Sequence, residues 1–215
     1  MVTRTRGVVL ALAGLSLAAC GNIHPGAAAV VDGKTISMQT LDKTADAYCA
    51  ITANAARQQG VTTVSNSDVR RQAVVGLVSL VVARDLAESE GITIPKASYQ
   101  LTAEERDQIE AVFPDADTDE IAKVIEDNQE VSAISIALAE KNTNQQATAQ
   151  NQEQFAELGQ QEILKAFGAN DVSFAPRFGL DAKAQERAET GSLSVTAVDL
   201  DAPVDEELPR SLRCA

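Results

Sequence analysis

The sequence predicts a mainly α-helical protein, a single helical domain with a small antiparallel sheet formed by an N-terminal hairpin and a late strand. Three observations predict it. Ala supplies 36 of the 215 residues against 12 Gly and 6 Pro, a balance that favours helix. Apolar residues recur at spacings of three and four in several segments between 38 and 167. Residues 27–36 and 171–175 instead carry β-prone runs, the second alternating Val172 and Phe174.

Taken in order, Ala27–Ile36 (AAAVVDGKTI) reads as a hairpin around Asp32-Gly33, a dipeptide that accepts positive φ. Ser37 caps a helix with Met38, Leu41, Ala45, Tyr48 and Ile51 on one stripe, ending at Gly60. Ser65-Asn66-Ser67 opens a second helix that closes near Gly91. Its stretch AVVGLVSLVVA, residues 73–83, has no polar face, which places it centrally in a core and leaves part of 77–82 available to line a groove. Ile92–Pro95 is an extended connector, and Thr102 with Glu105 forms a capping box for a third helix that stops at Pro114. A fourth helix starts near Thr118 and continues or restarts through Val131, Ile134 and Leu138. Residues 142–154 are rich in Asn, Gln and Thr and read as a turn followed by a polar first helical turn. Phe155, Leu158 or Gly159, Ile163 and Phe167 mark the last helix, closed by Gly168.

The ends carry different information. Arg4 and Arg6, the apolar run 7–18 and Leu17-Ala18-Ala19-Cys20 have the pattern of a lipoprotein signal peptide with a lipobox. The expected organisation is a signal peptide at 1–19, a tether at 20–26, a helical domain at 27–179 and an acidic extended tail at 180–215. Cys20 is the expected lipid-attachment residue, which places the protein on the extracytoplasmic face of a bacterial cell membrane. Cys49 and Cys214 then remain as an even pair in an oxidising compartment, expected as a disulfide rather than as two separate thiols. In the chain-entropy model, closing so long a loop stabilises the fold by at most about 5 kcal/mol.

Charge and residue chemistry exclude several functions. With 18 Lys and Arg against 31 Asp and Glu, the formal charge is −13, and it becomes −15 once residues 1–19 are removed. Nothing basic is available to neutralise phosphates, so no nucleic-acid partner is expected. A lipid anchor would hold this acidic body beside an anionic leaflet that repels it, so membrane contact is expected through the anchor alone. His24, the one His, lies in the tether without fixed partners. No Gly-rich phosphate loop and no nucleophile elbow occur, so no catalytic residue, cofactor or metal is expected. Asp115, Asp117, Asp119 and Glu126 occupy positions 1, 3, 5 and 12 of a calcium loop, but Glu120 stands where such a loop needs Gly. An acidic helix N-terminus accounts for the same residues. Asp205-Glu206-Glu207 reads as a solvated charge run.

Several motifs in one order resemble a known family. AAAVVDGKTISMQTLDKTADA resembles the opening of the N-terminal domain of SurA/PrsA-type extracytoplasmic chaperones, where V-x-G-x-x-I-(S/T) leads into the first helix; Val31, Gly33, Ile36 and Ser37 match. LVSLVVARDLAESEGITIP is similar to the hydrophobic helix and Ala-Glu-x-x-Gly-Ile segment of that family, through Leu86, Ala87, Glu88, Gly91, Ile92 and Ile94. VSFAPRFG, followed by GSLSV, is similar to the V-x-x-x-P-R-(Y/F)-G end of small bacterial lipoproteins with such a domain. The resemblance covers about 27–100 and 155–195. It implies a helical chaperone domain that handles unfolded secreted polypeptides, its first strand pairing with the late one. Full-length foldases of the family insert a prolyl-isomerase domain before the last helix. Here that place, 142–154, holds a polar linker, so isomerase activity is not expected. The competing expectation is a structural or assembly lipoprotein of the envelope with one fixed protein partner.

Overall fold

A computed structural model describes residues 25–61, 63–187, 209 and 212–214. The expected signal peptide, Cys20, His24, GSLSV at 191–195 and the 205–207 charge run lie outside the described residues.

Strands β1 (Ala27–Val31) and β2 (Lys34–Ser37) form the hairpin, with Asp32 at φ 45° and Gly33 at φ 79°. Two consecutive positive φ values fit the right-handed twist of the flanking strands, which is why Asp-Gly sits there. The turn is also fixed from outside. Asp32 N–H donates to Asp171 O at 3.0 Å, and Asp171 N–H donates to Asp32 Oδ1 at 2.8 Å. That places β3 (Val172–Phe174) antiparallel beside β1, so the sheet order is β2-β1-β3.

Helix α1 (Met38–Gln58) begins at Ser37, whose Oγ accepts from Thr40 N–H, and Gly60 follows it at φ 76°. Helix α2 (Asn66–Ser89) is capped by Ser65. Its residues Ala73, Val74, Val78, Val82 and Ala83 are completely enclosed. With apolar side chains on every side, α2 is the axle of the domain. It packs on α1, α4, α5 and β1. Helix α3 (Ala103–Val112) starts with the capping box of Thr102 and Glu105 and ends at Phe113. Helix α4 (Thr118–Thr143) runs unbroken, and Asn144 in the left-handed region ends it. Helix α5 (Gln152–Ala169) lies along α4 and buries Phe155, Gly159, Ile163 and Phe167.

Two apolar clusters result. The larger surrounds α2 and the sheet. The smaller joins Ala47 of α1, Ile109 of α3 and Ile121, Ala122 and Val124 of α4, with Ala50, Phe113 and Ala116 packed on its edge.

Two expectations are corrected and one open alternative is resolved. The last helix does not stop at Gly168 but continues to Ala169, with Asn170 as its cap. The interhelical position in α5 is Gly159, while Leu158 is 37% exposed. Residues 180–187 do not begin an extended tail. Leu180 is buried in the main cluster, and a turn returns the chain so that Leu180 pairs with Glu186. The apolar surface of the short 3-10 turn Pro176–Phe178 continues into Leu180, which draws this segment onto the core.

Candidate functional site

The edge of the smaller cluster is left open. Ala50, Ala53 and Arg57 of α1, Val61 and Val64 of the following loop, Val112 at the end of α3 and the turn Phe113–Ala116 surround a cleft of about 610 Å³. Cys214 closes another side. Each wall has a local cause. Gly60 turns the chain out of α1, so Val61 and Val64 face back toward that helix; Val61 N–H donates to Ala56 O at 2.9 Å. At the other wall Pro114 lacks the N–H needed to prolong α3, which leaves Val112 and Phe113 at a helix end.

Most of the side chains that line it are apolar, polar atoms make up nearly half of its exposed wall, and it is partly uncovered. Val61 is 48% exposed and Val112 54%, among the few large apolar side chains so open in the described residues. Two charges border it. Arg57 Nε donates to Ala53 O of its own helix at 3.3 Å, and Asp115 stands on the opposite wall. The cleft is therefore balanced in charge within an acidic protein.

Cys49 of α1 is joined to Cys214 by a disulfide across 165 residues, with the Cα atoms 5.2 Å apart. The C-terminal residues are further held where Cys214 N–H donates to Val64 O at 2.9 Å and Arg213 bridges Ser65.

The acidic residues of the calcium-loop pattern have other work. Asp117 Oδ1 accepts from Glu120 N–H and caps α4, as an acidic helix start requires. Glu126 accepts from Leu101 N–H at 3.0 Å and pairs with Arg106. Among the described residues no three His, Cys, Asp or Glu side chains converge on one point.

A second groove, about 350 Å³, runs beside Ile92–Ile94. Its floor carries a double hydrogen bond from Arg84 Nε and Nη2 to Glu130, at 2.9 and 2.5 Å. The Glu130 carboxylate raises the Arg84 pKa further. This pair locks α2 to α4 and offers no unsatisfied group to a ligand.

The part of 77–82 expected to line a groove does not reach the main cleft, for Leu77, Val78, Leu80 and Val82 are buried. Of the residues that do line it, Pro114, Asp115 and Cys214 stand out in the sequence for other reasons, and the apolar ones do not. Their signal was faint: two valines in a short loop between Gly60 and Ser65, and an apolar pair directly before Pro114. Comparison with known protein families, characterised proteins and solved structures finds no match to this chain.

Proposed function

We propose that this is a lipid-anchored, extracytoplasmic, chaperone-like protein that holds extended apolar segments of exported polypeptides without catalysing proline isomerisation. The observation that carries the reading is the open apolar cleft with Val61 and Val112 at its rim. A pocket of this size takes a few side chains of an extended segment. Apolar contact contributes roughly 25 cal/mol per Å² buried, of which ordering and association remove a large part. Micromolar holding is the affinity such a cleft supports, and it suits a client that must be released again. Three of the cleft's lining residues, Ala50, Phe113 and Ala116, pack on the smaller apolar cluster beneath it. The lipobox pattern at Leu17–Cys20 and the family resemblance of about 27–100 and 155–195 support the compartment and the client class.

The test is a fluorescence-anisotropy titration of the purified protein with a labelled, extended apolar peptide. Saturable micromolar binding is expected. Joint substitution Val61→Asp and Val112→Asp should weaken it about tenfold, equal to about 1.4 kcal/mol, with the fold intact because both side chains stand outside the core. Binding that ignores the double substitution overturns the assignment to this cleft. Failure with several unrelated peptides, together with capture of a single folded envelope protein, would favour the assembly lipoprotein instead. For the anchor, incorporation of a labelled fatty acid should disappear in Cys20→Ala.

A further inference from the structure

We propose that Ile92–Ile94 is a docking edge, where an extended polypeptide segment carrying a basic residue pairs with open backbone groups beside the end of α2. This second site goes beyond the functional reading above and shares no lining residue with the cleft.

The way α2 ends makes this edge. Gly91 at φ 67° turns the chain out of the helix, and Ile92 N–H donates to Ala87 O at 2.8 Å. From there the chain makes no turn until Pro95, whose O accepts from Ser98 N–H. Burial alternates on the way. Ile92 and Ile94 are half-buried against the main cluster, and Thr93 between them is exposed. That is the period of a strand, and a strand needs a neighbour. Among the described residues, the N–H and O of Thr93 and Ile94 have no hydrogen-bond partner. The open edges of the sheet are poorer, because β2 begins with Lys34, a charge that opposes pairing, and β3 has only three residues.

The groove of about 350 Å³ lies alongside, with room for a few side chains of an added strand. Main-chain pairing contributes affinity in strand addition, and the pockets beside the edge select the side chains. Charge selects as well. On the floor, Arg84 and Glu130 satisfy each other. Glu88, exposed in the lining, makes no ion pair among the described residues, whereas Glu90 is held by Lys141. The last turn of α2 contains no basic residue, so the negative end of the helix adds to the Glu88 carboxylate. A Lys or Arg of the incoming segment meets both, and an acidic segment is repelled.

The probe is a labelled peptide of about six residues that alternates Val and Thr around one Lys. In a fluorescence-anisotropy titration of the purified protein it should bind saturably. At saturation, exchange of the Thr93 and Ile94 amides, followed by NMR, should slow about tenfold. The same peptide with N-methylated backbone amides should bind about tenfold more weakly. Glu88→Gln, a change outside the core, should weaken the unmodified peptide about threefold, and high salt should remove that difference. The Val61→Asp, Val112→Asp protein should bind this peptide as the parent does, which separates the edge from the cleft. Absence of binding overturns the proposal, as does equal affinity for the N-methylated peptide, equal affinity in Glu88→Gln, or loss of binding in the cleft variant. So does slowed exchange at Lys34–Ser37 or Val172–Phe174 in place of Thr93 and Ile94, which would put the added strand on the sheet. If the cleft binds no apolar peptide while this binding persists, the functional reading fails alone.

Discussion

A single missing methyl group sets the distance between α4 and α5. A Cβ on Gly159 would lie 1.7 Å from Ser135 O and 2.3 Å from its carbonyl carbon, both backbone atoms of α4. Nothing flexible can yield there, so Gly159→Ala must push α5 away from α4 and loosen Phe155 and Ile163. A loss of about 3 kcal/mol is expected, read from the denaturant midpoint at unchanged m-value. Gly168→Ala makes the matched control. Its Cβ would meet nothing within 4 Å, and the change should be neutral or stabilise by about 0.5 kcal/mol. If the two variants unfold alike, the close approach of α4 and α5 is wrong. Gly76 is a milder case, because the atom in the way is the Tyr48 hydroxyl at 2.9 Å, the far end of a side chain that can turn.

Among the elements, caps carried most of the information that the sequence expressed locally. Ser37, Ser65 and Thr102 each accept from the N–H three residues on, and each marks a helix start readable from the chain alone. Thr102 with Glu105 also makes a testable acid response. Thr102 N–H donates to Glu105 Oε2 at 2.7 Å and its hydroxyl at 2.8 Å, and these bonds, the backbone one first, hold the Glu105 carboxyl below its ordinary 4.5. A carboxyl depressed in the folded state stabilises it above the unfolded value and ceases to do so as pH falls through the folded value. The start of α3 should therefore stay protected at neutral pH and fray only below about pH 4.5. In NMR titration Glu105 should ionise below that value, and Thr102→Ala should raise it part of the way, since the backbone N–H remains. An unmoved Glu105 in that variant would remove the hydroxyl from the account. Longer-range choices were less legible. Arg84 of α2 meets Glu130 in the middle of α4, a pairing 46 residues apart that no local pattern records.

At the scale of the whole molecule, the sheet and the helical core followed from periodicity, because each apolar stripe had to find another to cover it. The cleft did not follow. Its walls come from α1, a loop, the end of α3 and Cys214, and only the assembled fold makes them neighbours. Its residues are also too few and too scattered to leave a period in the sequence. On the proposed reading, what the assembled molecule offers a client is contact, and this separates holding from catalysis. Rotation about an X–Pro bond crosses a barrier near 18–20 kcal/mol, and lowering it needs groups fixed around the twisted amide. Where the sequence resemblance would put an inserted isomerase domain, the chain has the short loop 145–151 between Asn144 and Gln152. Holding asks less: apolar contact on a fixed frame, and enough net charge to keep the complex apart from its copies. The chain, formally −13 and −15 without residues 1–19, has that charge. The purified protein should accordingly slow aggregation of a chemically unfolded substrate at near-equimolar ratio. It should leave the cis/trans rate of a proline tetrapeptide at its uncatalysed value. Accelerated isomerisation would make the protein an enzyme after all. Unchanged aggregation across several unrelated substrates would leave the cleft as the seat of one specific partner, and Val61→Asp with Val112→Asp would then be the variant that loses it.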